Sequence, residues 1–200
     1  MTNTPTTLAD WLDYIERQHP ATIDMGLERV RAVATAMGLG APAKRTIVVG
    51  GTNGKGSTVA FIEAIGRAAG WKVGAYTSPH LLRYNERVRI DGQDVEDAAL
   101  VAAFNTVEAA RGGITLTYFE YGTLAALQLF ADAGLDLAVL EVGLGGRLDA
   151  VNIIDADVSV ITTVDIDHAE WLGEDREAIG AEKAGIIRGW KPVIDRKSVV

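Results

Sequence analysis

Residues Val48-Val49-Gly50-Gly51-Thr52-Asn53-Gly54-Lys55-Gly56-Ser57-Thr58 decide the fold of this chain. An apolar run at 46–49 precedes the glycines and predicts a buried strand. Apolar residues recur at helical spacing over 57–69, which predicts a helix. A strand, a glycine-rich turn and a helix in this order are typical of a phosphate-binding loop, because glycines let several backbone N–H groups converge on an anion at a helix N-terminus.

The lysine in this turn favours a phosphate-binding loop over an ordinary glycine-rich turn, which is the alternative. Lys55 can reach terminal phosphates, and a hydroxyl at the start of the helix can approach Mg²⁺. The pattern departs from the usual G-x-x-x-x-G-K-[ST], since Val49 replaces the first glycine and Gly56 separates the lysine from Ser57. The candidate nucleotide-binding residues are Thr52, Asn53, Gly54, Lys55, Gly56 and Ser57.

Composition excludes several classes of protein. The 200 residues suit one domain, and a content of 48% hydrophobic and 23% charged residues can form a packed core. The net charge of −8 argues against a nucleic-acid-binding surface, and the lack of cysteine excludes disulfides and thiolate metal sites. We find neither a signal peptide nor an apolar run of the roughly 20 residues that span a bilayer. The sequence predicts a cytoplasmic protein.

Strands and helices alternate along most of the chain. Helices are predicted at about 8–17, 27–37, 57–69, 95–111, 120–132 and 175–187, and strands at 46–49, 72–77, 135–142 and 157–163. This order predicts an α/β fold with a mostly parallel sheet and helices on both faces.

Acidic and basic side chains follow the predicted strands, where α/β domains carry their sites. Glu141 ends a near-continuous apolar run, and a carboxylate there can bind a Mg²⁺ held by nucleotide phosphates; a solvent-facing strand end is the alternative. Asp165, Asp167 and His168 follow the last strand and are expected at the same edge.

A loop rich in arginine follows the second strand of the core. The segment from Ser78 to Gly92 contains Arg83, Arg87, Arg89 and an aromatic residue, Tyr84, that looks exposed. Such a loop is either a binding element or a solvated connection containing a short strand.

Seven motifs, in the same order, resemble those of the folylpolyglutamate synthase and dihydrofolate synthase family, a branch of the Mur ligase superfamily. The resemblance covers about residues 8–194. The motifs are Gly51-Thr52-Asn53-Gly54-Lys55-Gly56-Ser57, Thr77-Ser78-Pro79-His80-Leu81, Tyr84-Asn85-Glu86-Arg87-Val88, Tyr118-Phe119-Glu120-Tyr121-Gly122-Thr123-Leu124, Glu141-Val142-Gly143-Leu144-Gly145-Gly146-Arg147-Leu148-Asp149-Ala150, Asp167-His168 and Glu182-Lys183-Ala184-Gly185-Ile186.

The resemblance implies a P-loop NTPase-like Mur ligase ATP-binding domain. It implies that residues 52–55 hold ATP phosphates, that Ser78 and Glu141 bind one Mg²⁺, and that His168 binds a second. It also implies that Lys183 is carbamylated. The implied cofactors are thus ATP, two Mg²⁺ ions and a carbamylated lysine, and the implied catalytic residues are Lys55, His168 and Lys183.

The implied reaction is ATP-dependent ligation of L-glutamate to dihydropteroate, and to tetrahydrofolate, through an acyl phosphate. The segment 78–89 looks like the family loop that closes over the substrate. The implied small-molecule partners are dihydropteroate, folates and L-glutamate. The candidate substrate-binding residues are Ile23, Asp24, Phe119, Glu120, Leu148, Asp149 and Ala150.

Each role has a structural alternative when the residue is considered alone. Lys183 is typical of a solvated helix lysine, Phe119 of a core residue, and Asp24 and Ser78 of caps. His168 follows two aspartates, which is typical of a hydrogen-bonded structural histidine.

We expect a helical segment at 1–45, an incomplete ATP-binding domain at 46–194 and a tail at 195–200 that does not resemble the family. The family has a further C-terminal domain, so we expect a truncated or misjoined reading frame with doubtful activity. The alternatives are a peptidoglycan-precursor Mur ligase and a non-catalytic nucleotide-binding module. A monomer is expected.

Overall fold

The computed structural model describes residues 5–19 and 23–195. The expectation of a tail at 195–200 therefore lies outside the described residues from position 196 onward, as do the first four residues of the expected helical segment. The chain forms one twisted seven-stranded sheet flanked by helices. The predicted α/β class with a mostly parallel sheet is confirmed.

The sheet has the order β4-β3-β2-β5-β1-β6-β7. Five strands are parallel to one another: β1, β2, β5, β6 and β7. β3 is antiparallel to β2, and β4 is antiparallel to β3, so these two strands form an antiparallel extension of the sheet. β3 lies within the arginine-rich loop, and β4 directly follows it. The strands are β1 Ala43–Gly50, β2 Val73–Tyr76, β3 Val88–Ile90, β4 Gln93–Asp94, β5 Leu135–Glu141, β6 Val158–Ile161 and β7 Val193–Asp195.

Seven α-helices are assigned within the described residues, and all of the predicted helices are found. Thr117 begins one of them with a capping box, in which its hydroxyl accepts from the backbone N–H of Glu120. The helices are α1 Leu8–Glu16, α2 Glu28–Met37, α3 Lys55–Ala68, α4 Asp97–Arg111, α5 Tyr118–Ala133, α6 Ala169–Leu172 and α7 Arg176–Lys183.

Side chains of the central strands alternate between two apolar layers. Val48 and Leu140 belong to the larger layer, which α1, α2, α4 and α5 cover. Val49 and Val139 point the other way and pack with Val59 of α3. Because successive strand residues face opposite sides, burial on both sides explains why these strands are continuously apolar in sequence. Helices therefore cover both faces, as predicted.

The N-terminal helices belong to the larger layer. Trp11 of α1 is fully buried and its ring lies 5.8 Å from that of Phe104. Nearby, Glu108 of α4 accepts hydrogen bonds from Tyr14 and from Arg111, at 2.9 Å and 2.7 Å. These contacts attach α1 to the sheet-covering helices and so build one wall of the cleft described below. No helix within 5–19 and 23–195 is long and apolar enough to cross a membrane.

Candidate functional site

The glycine-rich loop after β1 is braced by the segment that follows β6. The N–H of Thr52 donates to the carbonyl of Thr163 at 2.7 Å, and the Thr52 hydroxyl accepts from the N–H of Asp165 at 3.0 Å. Gly51 has φ +139°, and a Cβ there would lie 1.9 Å from the hydroxyl oxygen of Thr162. A larger residue at this position would push the two segments apart.

Lys55 opens α3, two residues earlier than the sequence predicted for that helix. Its ammonium group donates to the carbonyl oxygens of Gly51 and Thr52, at 3.0 Å and 3.1 Å. The cation therefore lies over the loop at the N-terminus of a 14-residue helix, whose free N–H groups favour an anion. Loop, helix end and lysine together suit a polyphosphate.

Glu141 ends the central strand β5 beside this loop. It is only 4% exposed, and one of its carboxylate oxygens accepts from the N–H of Ser78 at 3.1 Å. Burial raises its pKa, opposed by that hydrogen bond and by the charge of Lys55. A Cβ at Gly56 would lie 3.7 Å from the carboxylate, which shows how closely the loop approaches it. The alternative of a solvent-facing strand end is wrong.

Lys183 is the last residue of α7, and only 3% of it is exposed. The alternative of a solvated helix lysine is therefore wrong. Burial lowers the pKa of its amine, and the charge of Lys55 lowers it further. A Cβ at Gly146 would lie 2.8 Å from the Lys183 carbonyl oxygen, so this glycine permits the close packing. Ile179, one helical turn earlier and fully buried, is the sequence signal for this orientation.

His168 lies at the start of α6 with a left-handed backbone, φ 52°. Its side chain is about half exposed, and Nε2 lies 3.6 Å from Asp167. It lines the same cleft as Ser78. Across the described ranges, no three His, Cys, Asp or Glu side chains group as a metal site. The expected metal ligands are Ser78, Glu141 and His168, and their role remains a prediction.

A cleft of about 480 Å³ opens at the carboxyl edge of the sheet, which is within the size range of small-molecule sites. The α1–α2 connection, the start of α5 and the turns after β2 and β5 form its walls. The structure brings all the candidate substrate-binding residues to this cleft: Ile23, Asp24, Phe119, Glu120, Leu148, Asp149 and Ala150.

Asp149 organises the floor of the cleft. One carboxylate oxygen accepts from the N–H groups of Gly143 and Leu144, and the other accepts from that of Val151. These bonds hold the glycine turn after β5 against the 3-10 turn Ala150–Ile153. Burial raises the pKa of Asp149 to about 6, despite the three bonds that favour the carboxylate.

This raised pKa should make stability depend on pH. The unfolded carboxyl ionises near 3.8 and the folded one at about 6, so the folded state binds more protons between these values. The contribution of Asp149 to the free energy of unfolding should therefore decrease as pH rises from about 4 to 6, by on the order of 1 to 3 kcal/mol. Urea unfolding of wild type and Asp149→Asn across this range measures the difference. A wild-type stability that rises relative to the variant would contradict the raised pKa.

Arg29 bonds two carboxylates of the cleft lining, and sequence reasoning missed it. Its guanidinium bonds the carboxylate of Asp24 at 2.8 Å and that of Glu120 at 3.0 Å. Asp24 is not a helix cap, since Leu27 is the residue at the start of α2, so that alternative is wrong. The arginine joins the α1–α2 connection to the start of α5. The only signal in the sequence for these contacts is Asp24, an acidic residue five positions before Arg29.

Two aromatic residues differ in their placement. Phe119 is half-buried: it lines the cleft and its ring lies 6.0 Å from that of Tyr76, so it has both a packing and a lining position. Tyr84 looked exposed from sequence, but that expectation is wrong because only 4% of it is exposed. Its 3-10 turn directs the ring against Phe104 and Tyr118, at 5.8 Å from each.

A phosphate-type loop at the carboxyl edge of a parallel sheet, with a cleft beside it, defines an α/β nucleotide-binding domain. Residues 49–194 match the family described as the Mur ligase middle domain, and the chain belongs to that family.

Within this family, the chain is similar to enzymes named dihydrofolate synthase/folylpolyglutamate synthase. It is 59% identical to the Escherichia coli protein over 187 residues, which cover 94% of this chain and 44% of that protein. It is 54% identical to the Haemophilus influenzae protein over 187 residues, covering 94% of this chain and 43% of the relative. The chain thus spans about half the length of the relatives it matches.

The chain is also similar to solved structures. The E. coli protein FolC in complex with DHPP and ADP superposes with a TM-score of 0.95 at 57% identity, over 98% of this chain and 47% of FolC. A bifunctional folylpolyglutamate synthase/dihydrofolate synthase with Mn, AMPPNP and L-glutamate bound has a TM-score of 0.92 at 55% identity, over 98% of this chain and 48% of that chain.

Proposed function

We propose that this chain is the ATP-binding part of a ligase that joins L-glutamate to dihydropteroate and to tetrahydrofolate. The observation that carries the proposal is the position of the cleft: it contains the seven candidate substrate-binding residues and reaches Ser78, which bonds Glu141 beside the phosphate loop. A pterin substrate and ATP phosphates would then meet at one sheet edge. The names and bound ligands of the relatives support the same reaction.

In this proposal residues 52–57 hold the ATP phosphates, and Lys55 binds them directly. Ser78 and Glu141 hold one Mg²⁺, since hydroxyl and carboxylate oxygens are ligands that Mg²⁺ prefers. The family resemblance assigns the second Mg²⁺ to His168, whose imidazole is a less usual ligand for this ion. The buried carboxylate of Glu141 suits a cation, which would offset the cost of its burial. Bound Mg²⁺ supplies charge neutralisation on the transferred phosphoryl group.

Lys183 suits the proposed carbamylation because its surroundings favour a neutral amine. The neutral form is the one that reacts with CO₂, and both burial and the charge of Lys55 lower the amine's pKa. Carbamylation would convert a buried cation into an anion. Such an anion would offset the positive charge of Lys55 and of the metal ions beside it.

The proposed chemistry has two steps. A substrate carboxylate oxygen attacks the γ-phosphorus of ATP, so that ADP leaves and an acyl phosphate forms. The neutral amine of L-glutamate then attacks the acyl carbon. The tetrahedral intermediate loses one amine proton to the departing phosphate or to solvent and expels that phosphate to leave an amide. Lys55 stabilises the negative charge that develops on the phosphoryl oxygens, and the cleft holds the acyl group in line with them.

The activity belongs to the whole protein in this proposal, since the chain spans about half of its relatives. The cytoplasmic location and the monomeric state also stay predictions.

Calorimetric titration of this chain with dihydropteroate in the presence of Mg-ATP tests the proposal. Saturable binding that Asp149→Ala weakens would support it. A uridine-linked muropeptide serves as the control ligand, and binding of that ligand instead would favour a peptidoglycan-precursor ligase. Mg-ATP binding by a folded chain with no pterin binding would favour a nucleotide-binding module.

A further inference from the structure

Arg87 lines the cleft, and its side chain forms no ion pair within the described residues. It ends the 3-10 turn Tyr84–Arg87 immediately before β3. Its carbonyl accepts from the N–H of Thr77 at 2.9 Å, so its main chain lies one residue from Ser78. Arg87 and Ser78 both line the cleft, and Ser78 bonds Glu141 beside the phosphate loop.

Two tyrosine rings and one imidazole fix the position of this guanidinium. Its central carbon lies 5.3 Å from the ring centre of Tyr84 and 5.6 Å from that of Tyr118. Its Nε donates to Nδ1 of His80 at 2.8 Å. A neutral imidazole can accept this bond. The guanidinium is thus preorganised, and little side-chain entropy remains to be lost on binding.

The outer nitrogens of Arg87 remain available to a ligand. Within residues 5–19 and 23–195, its one side-chain hydrogen bond uses Nε, and no carboxylate forms an ion pair with it. The terminal nitrogens also reach solvent, because neither is among the buried unpaired polar atoms of that part of the chain. A guanidinium whose two terminal nitrogens are both free can donate to the two oxygens of one carboxylate.

The other charged groups of the cleft make this cation important for an anionic ligand. Arg87 is the only lysine or arginine among the described residues that line the cleft. Five carboxyl groups share the lining, and Arg29 pairs with two of them, Asp24 and Glu120. Carboxylates favour ligand groups that donate hydrogen bonds, such as the amino and N–H groups of a pteridine. The five carboxyl groups are those of Asp13, Glu16, Asp24, Glu120 and Asp149.

We propose that Arg87 binds the carboxylate of the pterin substrate and holds it at the phosphate-loop end of the cleft. The inference rests on the proposed function and names the residue that orients the reacting group. A paired guanidinium in this position would offset the repulsion between the carboxylate and the acidic lining. It would also direct one carboxylate oxygen toward the γ-phosphate.

The competing explanation is a purely structural role, in which Arg87 holds the loop 78–86 against the tyrosines. The two roles differ in their dependence on ligand charge. A structural role affects every ligand of the cleft alike, whereas carboxylate binding affects only ligands that carry the charge.

The test is a double-mutant cycle between residue and ligand. We would titrate wild type, Arg87→Gln and Arg87→Lys with dihydropteroate and with its neutral primary amide, by calorimetry in the presence of Mg-ATP. Arg87→Gln should weaken dihydropteroate binding about tenfold or more and change amide binding by less than about twofold. Arg87→Lys should lie between, since it keeps the charge but loses the planar fork. Arg83→Gln, an exposed arginine of the same loop outside the cleft lining, is the matched control and should change neither.

Equal losses for the acid and the amide in Arg87→Gln would overturn the inference and indicate a structural role, while leaving the proposed function intact. Unchanged binding of both would overturn it as well. If wild type binds neither ligand, the proposed function fails first, and the inference falls with it.

Discussion

Replacement of Lys55 by alanine is expected to lower ligase turnover by about a thousandfold or more. The ammonium group lies at the N-terminus of α3, over the carbonyls of Gly51 and Thr52. From there it can stabilise the negative charge that develops on the transferred phosphoryl group. Because that charge is largest in the transition state, removal of the Lys55 ammonium group should lower kcat more than it raises KM. The fold should persist, because the side chain bonds only its own loop.

Turnover is measured in the full-length protein that contains this chain, and Mg-ATP affinity in the chain itself. Lys44→Ala is the matched control: this lysine lies at the opposite end of β1, is 76% exposed and pairs with Asp136. The control should keep wild-type turnover. Unchanged turnover in Lys55→Ala would refute the proposed role of the loop.

Replacement of Glu141 by glutamine should separate activity from stability. The amide has the same shape but binds Mg²⁺ weakly, so turnover should fall by about a hundredfold or more and Mn²⁺ binding with ATP should weaken. Because burial raises the pKa of Glu141, its ionisation at neutral pH costs folding free energy. The variant should therefore be at least as stable as wild type at pH 7.

Electron paramagnetic resonance of Mn²⁺, steady-state kinetics and thermal unfolding give the three readouts. Glu63→Gln is a useful comparison, since Glu63 is also a buried carboxylate but pairs with Arg89 at 2.8 Å. Its replacement should cost stability because it leaves that arginine without its charged partner. Full activity of Glu141→Gln, or a large loss of its stability with normal Mn²⁺ binding, would contradict a metal-binding role.

The sequence was sufficient for the elements whose signals are local. The glycines after β1 permit a tight turn, and a lysine at the start of the next helix has little structural use there, so together they indicated a phosphate-type loop directly. Apolar runs and helical spacing predicted each major element, because burial on one or two faces leaves a periodic pattern in the chain. The order of seven motifs predicted the family to which the chain belongs.

Only the tertiary structure decided which polar side chains are buried and what they contact. Lys183 alone is typical of a solvated helix lysine, and a solvent-facing strand end was the alternative for Glu141. Segments distant in the chain bury both residues: Gly146 packs against Lys183, and Gly56 lies close to Glu141. The contacts of Arg29 and Arg87 arise in the same way. A local pattern records the face on which a residue lies, whereas its partners, its pKa and its access to a ligand depend on contacts between residues far apart in the chain.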